Sequence, residues 1–259
     1  MLLMRMRKAT NGMIGRGLVL AVCLTAGAAL AYVMPASSIL RRMVDRRETL
    51  KLNSLAVTGT AVFPRVSASE AAAALGTSTD RELQTDARFL LRFPGRCRLE
   101  LSTPEGGQLA AVSAHGKARQ EGKALAAAQQ ALSQVCPLLA IRAAAEGEAR
   151  AGVERHLSAI GITDRQTALA RLDGKVVYVV GAKNPQAQLW IYKDSFQPAR
   201  VLFKDAQGTA WDVRMKDFGS AVAGDWFPRV VEVRRGEDTV MRFTALDADP
   251  KAELADKLF

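Results

Sequence analysis

The chain has little of what most enzymes need. It holds only 2 histidines and 3 cysteines in 259 residues, and neither His115 nor His156 has metal-ligand spacing to a cysteine or to the other histidine. No Gly-x-Ser-x-Gly elbow is present. Gly116-Lys117 and Gly122-Lys123 lack the preceding glycine of a phosphate loop, and no dinucleotide fingerprint follows a strand. Paired carboxylates are assembled by folding rather than by spacing, but no Asp or Glu stands out from an ordinary solvated acid. The expectation is a protein that is not an enzyme and holds no metal and no cofactor. Aromatics make up 6% of the chain, and Lys and Arg are scattered rather than interleaved with them, which speaks against nucleic acid as a partner. After Ser38 no apolar run approaches the roughly 20 residues that span a bilayer.

What is present begins at the N-terminus. Arg5, Arg7, Lys8 and Arg16 form a cationic segment without an acid, and Gly17 to Ser38 carries no charge. With the small-x-small site Ala29-Leu30-Ala31, residues 1–36 read as a secretory signal peptide or, if uncut, as an N-terminal membrane anchor. Cys23 sits in mid-apolar run, a poor position for lipidation. Residues 37–259 form the expected exported domain, placed in a periplasm-like space. Loss of the four N-terminal cations takes the net charge from 10 to 10 − 4 = +6, a mild excess that suits anionic membrane surfaces or plain solubility. Cys97 and Cys136 then remain, as one disulfide or as two buried thiols.

Along the chain, the spacing of Ile39, Leu40, Met43, Val44 and Arg47 predicts a helix over 37–52, with Ser37 or Ser38 as cap. Residues 55–63 alternate as a strand, with Gly59 marking a bulge or close approach. The polar, Ala/Ser/Thr-rich stretch 64–86 reads as irregular. Short strands follow at 89–93, 96–102 and 108–113. Then comes an Ala-rich helix over 121–148, broken near Pro137, and a helical piece over 151–160. From 167 onward seven strands are separated by tight turns, Asp173-Gly174 being a strong hairpin signal and Asn184-Pro185 another turn. About eleven short strands argue for an antiparallel sheet that curls, within one α+β domain.

Trp211, Val213 and Met215 alternate with charged neighbours, as do Val231 with Val233 and Met241 with Phe243. Val57, Leu99 and Leu101 lie on corresponding faces of earlier strands. This shared apolar face is either packed core or the wall of a cavity for an apolar ligand.

The run Val176-Val-Tyr-Val-Val-Gly-Ala182, followed by Gln188-Leu-Trp-Ile-Tyr-Lys-Asp-Ser-Phe-Gln-Pro-Ala-Arg200, resembles the periplasmic outer-membrane lipoprotein carrier and sorting proteins (LolA/LolB type). Ser38-Ile-Leu-Arg-Arg-Met-Val with Leu52-Asn-Ser-Leu-Ala-Val-Thr-Gly-Thr60 is similar to that family's opening helix and first strand. Asp256-Lys-Leu-Phe259 after Phe243-Thr-Ala-Leu246 is similar to its closing segment. The resemblance implies a curved antiparallel half-barrel with helices packed across its concave mouth. It also implies a monomeric carrier of lipoprotein acyl chains or another lipid, meeting inner- and outer-membrane docking proteins. The expected cavity wall is Val57, Leu99, Leu101, Trp211, Val213, Met215, Val231, Val233, Met241 and Phe243. The alternatives are a membrane-tethered sensor or regulatory module of the same shape, and an envelope enzyme whose site forms only on folding. The classical carrier's lid arginine has no assigned counterpart.

Overall fold

The computed structural model describes residues 33–114, 117–142, 147–163, 166–182 and 187–259. Of the segment 1–36 expected to direct export, residues 1–32 with Cys23 lie outside the described residues, as do His115 and the Asn184-Pro185 turn. Residues 35–259 form one compact unit, and no helix among the described residues is long and apolar enough to cross a membrane.

Twelve strands build one sheet: β1 (Ser54–Phe63), β2 (Leu83–Arg92), β3 (Arg96–Ser102), β4 (Gln108–Ala114), β5 (Lys117–Glu121), β6 (Thr167–Leu172), β7 (Lys175–Val180), β8 (Gln188–Tyr192), β9 (Pro198–Lys204), β10 (Ala210–Lys216), β11 (Val230–Arg235) and β12 (Asp238–Asp249). Their order is β5-β4-β3-β2-β1-β12-β11-β10-β9-β8-β7-β6, and every neighbouring pair is antiparallel. Two meanders, β1–β5 and β6–β12, are joined side by side where β12 pairs with β1. The chain therefore leaves β5 at one edge of the sheet and re-enters β6 at the other.

That crossing is made by helices. Besides α1 (Ala36–Glu48) and α2 (Arg65–Leu75), the described residues hold α3 (Ala126–Leu139) and α4 (Glu148–Ala159). α3 touches β3, β4 and β5 on one flank and β10, β11 and β12 on the other, so the sheet curls around it. α2 fills the part of the mouth next to β1, β2 and β12. The sheet stays open, and the architecture is the α+β half-barrel expected.

Local sequence explains several features. Asp173 (φ 48°) and Gly174 (φ 81°) both take left-handed conformations, as a two-residue type I′ hairpin requires. Gly59 stands at a register shift between β1 and β12. A Cβ there would lie 2.1 Å from the carbonyl oxygen of Thr244, so only glycine fits the close approach.

Four expectations need correction. The stretch 64–86 is not irregular: α2 starts after Pro64 and stops at Gly76 (φ 72°), and β2 begins at Leu83. Its buried face is Ser67, Ala68, Ala71, Ala72, Ala74 and Leu75, nearly all small residues, so hydropathy gives almost no periodic signal. Among the described residues the sheet has twelve strands, the one not foreseen being β5 (Lys-Ala-Arg-Gln-Glu), a charged edge strand without a large apolar residue. Charge on an edge is how sheets discourage further pairing. The Ala-rich helix runs only from Ala126 to Leu139 and passes through Pro137. Proline there removes one bond, to the Ser133 carbonyl, within the last turn. Neither Ser37 nor Ser38 caps α1. Its N-cap is Pro35, whose carbonyl accepts from the backbone N–H groups of Ser38 and Ile39.

Candidate functional site: the concave face and the arginine beneath its helices

The ten expected wall residues converge on the inner side of the sheet. Val213 pairs with Val233 and Met215 with Val231. Val231 and Val233 pair with Phe243 and Met241, and Val57 pairs with Phe89, which pairs with Leu99. Each of the ten is 4% exposed or less, covered by the helices. Trp211 lies at the end of the row, its indole N–H donating to Asp205 Oδ2 at 2.8 Å. That hydrogen bond and two backbone N–H donors hold the Asp205 carboxyl below its usual range.

Two residues absent from the expected wall complete its centre. The Phe89 ring lies 5.1 Å from Phe227 and 4.9 Å from Phe243 between centroids, and Phe227 lies 6.0 Å from Phe243. Tilted and edge-on contacts of this kind add to simple burial. Phe227 belongs to the 217–229 segment that links β10 to β11, so this connection folds over the apolar face.

Two surface hollows of about 410 and 510 Å³ have mixed polar and apolar linings and lie over outward-facing residues such as Asp212 and Arg234 or Arg98 and Glu100. Of the ten wall residues, only Trp211 and Leu101 reach them.

The helices are attached unequally. α3 is bonded to the sheet: Cys97 of β3 and Cys136 form a disulfide with Cα atoms 5.8 Å apart, as one of the two readings of these cysteines expected. α4 packs through Val153 and Leu157, and its His156 Nε2 meets Gln134 Oε1 of α3 at 3.0 Å. Burial lowers the His156 pKa to about 4, so the ring is neutral at pH 7.

α1 is held by polar contacts as well as by its apolar stripe. Arg47 continues the buried row Ile39, Leu40, Met43 and Val44 and is itself 3% exposed. It donates to the Leu139 carbonyl from Nε (3.2 Å) and Nη2 (2.9 Å), to the Asp225 carbonyl from Nη1 (3.1 Å) and to the Trp226 carbonyl from Nη2 (3.0 Å). One guanidinium thus ties α1 to the C-terminal end of α3 and to the β10–β11 connection. Burial lowers its pKa to about 9; the Asp225 carboxylate opposes this and Arg46 adds to it. It is therefore charged at pH 7. A buried charge is tolerated only when its donors are satisfied, and here the acceptors are backbone carbonyls.

Further ties hold the same helix. Arg46 forms an ion pair with Asp225, whose backbone carbonyl and Oδ1 both accept from Gln197 Nε2 at 3.4 Å. Arg42 lies 5.3 Å from the centroid of Phe196, which stacks on Tyr178 at 5.9 Å. Phe196 has φ 54°, an uncommon conformation for a bulky residue, in the β8–β9 turn.

Of the hairpin that carries the family resemblance, Leu189 and Ile191 are buried, while Trp190 and Arg200, paired across β8 and β9, face outward. Arg200 stacks on Trp190 at 4.7 Å and makes two 2.8 Å bonds to Asp212. Among the described residues no group of three or more His, Cys, Asp or Glu is placed to hold a metal ion. The geometry offers a covered apolar wall and a polar lock.

Among the described residues the fold is a half-barrel: an open twelve-stranded antiparallel sheet with four helices across its mouth. The chain is similar to the solved structure of a LolA superfamily protein from Nitrosomonas europaea, at 16% identity over 88% of this chain and 98% of that one, with a TM-score of 0.47. It is also similar to a DUF1329 family protein from Desulfovibrio piger, at 11% identity over 86% and 96% of the two chains, with a TM-score of 0.44. A third similarity is to a chain of the MucA/MucB complex of Pseudomonas aeruginosa, at 16% identity over 86% of this chain and 60% of that one, with a TM-score of 0.29. No family model and no curated protein matches the chain.

Proposed function

We propose that the chain is an exported envelope protein that shelters the acyl chains of a lipoprotein, or of another lipid, against the concave face of its sheet. One observation carries this reading: a largely apolar concave face is covered by helices, and α1, which packs on α4, has as its buried polar attachment a single guanidinium bonded to three carbonyls. α3 is tied to β3 by its disulfide, and α1, held at the end of α3 by the Arg47 contacts, is the element that moves first to admit a chain at the margin of the face. Each methylene taken from water contributes about 0.8 kcal/mol, so a few buried methylenes offset the loss of the Arg47 contacts. Binding of this kind is reversible and needs no covalent chemistry. A carrier in the periplasm would take its cargo from one membrane and release it to docking proteins at the other. A tethered sensor would use the same lid to report occupancy.

Native mass spectrometry of the protein purified from its own envelope tests the proposal. A bound mass that is released by organic solvent and contains acyl chains supports it. Protein that is empty as isolated and stays empty after incubation with a lipopeptide refutes it.

A further inference from the structure

The registers fix which strand residues point away from the helices, and these outward positions are not electrically balanced. They hold thirteen Lys and Arg against seven Asp and Glu, an excess of 13 − 7 = +6. Residues 33–259 as a whole carry 32 Lys and Arg and 26 Asp and Glu, also 32 − 26 = +6. The entire net charge of the domain is thus concentrated on the outer surface of its sheet, and the rest of residues 33–259 is neutral in sum.

The acids on this surface that are most buried are already overmatched. Asp212 accepts from both Arg200 and Arg214 at 2.8 Å. Glu232 is approached by Arg242 at 2.9 Å, Lys216 at 3.6 Å and Arg214 at 3.9 Å. Both carboxyls sit below their usual range for that reason, against the opposing effect of burial. Lys117, Lys175 and Lys204 are exposed on the same surface, and no ion pair involving any of them is seen among the described residues. Half-buried Trp190 stands among these cations, an amphipathic ring of the kind that settles at headgroup level.

We propose that the outer face of the sheet docks on an anionic bilayer surface. Each cation held close to such a surface is attracted to it, and the attraction fades beyond a Debye length. A folded sheet that places all of the excess on one side concentrates this attraction on one orientation. Docked in this way, the protein turns its helix-covered mouth toward the aqueous space. The inference is independent of what the concave face holds, since its readout is charge-dependent partition rather than lipid uptake.

The test is flotation of the full chain with vesicles of phosphatidylcholine alone or mixed with phosphatidylglycerol. The triple variant Lys117→Glu, Lys175→Glu, Lys204→Glu takes the outward excess from +6 to 0. The isocharge control Lys51→Glu, Lys123→Glu, Lys193→Glu changes three exposed lysines away from that face. The expected result is partition of the unaltered chain that rises with phosphatidylglycerol and falls at high salt, a loss of at least about tenfold in the outer-face variant, and less than about twofold in the control. Equal losses in both variants, which would mean that net charge alone matters, overturn the proposal. So does the absence of any phosphatidylglycerol-dependent difference between the unaltered chain and the outer-face variant. Circular dichroism and a melting curve for each variant confirm that the compared proteins are folded.

Discussion

Arg47 and Leu139 lie 92 residues apart in sequence, and two nitrogens of the one converge on the carbonyl oxygen of the other. This contact joins the last turn of α1 to the last residue of α3. Replacing Arg47 by alanine leaves the carbonyls of Leu139, Asp225 and Trp226 without this donor. Loss of a buried, charge-assisted donor of this kind costs about 2–4 kcal/mol. The expected outcome is a lower denaturant midpoint, together with binding of a hydrophobic dye below the midpoint as α1 lifts from the apolar face. Arg47→Lys keeps the charge but not the fork, and is expected to recover less than half of the loss.

The Cys97–Cys136 bridge closes a loop of 39 residues. Chain-entropy reasoning gives about 4 kcal/mol for a loop of that length. Cys136→Ser is expected to lower stability by about 3–4 kcal/mol, and reductant is expected to produce the same shift in the unaltered protein and none in the variant. Urea titration with and without reductant measures both.

At Gly59 even one methyl group meets the Thr244 carbonyl oxygen at 2.1 Å. Gly59→Ala forces β1 and β12 apart at the seam between the two meanders, and a destabilisation of about 3 kcal/mol or more is expected in thermal melts.

His156 supplies a pH signature. Its folded pKa of about 4 lies below the ordinary value of 6.5, so between these values the unfolded chain binds a proton that the folded protein refuses. Its contribution is fully present above pH 6.5 and is lost as pH falls toward 4, up to about 3 kcal/mol in total. Asp212 and Glu232, whose pKa values are lowered, lose their contributions only below the ordinary carboxylate range. The interval from pH 6.5 to 4.5 therefore lies above the carboxylate range, and His156→Gln is expected to flatten the stability profile there, as followed by denaturant midpoints across pH.

The sequence made the sheet legible wherever strands bury one face and solvate the other. Trp211, Val213 and Met215 against Asp212, Arg214 and Lys216 is the clearest case. The same alternation placed all ten wall residues on one side, and the cysteine count pointed to Cys97 and Cys136. α2 was hidden because its buried side chains are almost all alanines and serine, and β5 because an edge strand needs no apolar face. Arg47 was visible as a charged residue inside an apolar stripe, which is the usual mark of a buried partner. Its acceptors were not, because they are backbone carbonyls brought in by folding and any residue carries one. Phe89 and Phe227 read as ordinary apolar residues until the registers and the β10–β11 connection put them against Phe243. The outward charge excess was likewise invisible as scattered Lys and Arg, since only the strand registers sort them by face.

The most direct test of acyl binding at the concave face is quenching of Trp211 by a bromine-labelled acyl chain. The protein used is Trp190→Phe, Trp226→Phe, in which Trp211 is the remaining one of the 3 tryptophans. Bromine quenches only on near contact, so the signal reports a chain lodged beside Trp211, at the end of the concave wall. The expected result is saturable quenching by a brominated lipopeptide, reached faster when Arg47 is also changed to leucine. Trp211 emission that is unchanged at saturating lipopeptide, in protein that remains folded and in both backgrounds, would contradict it.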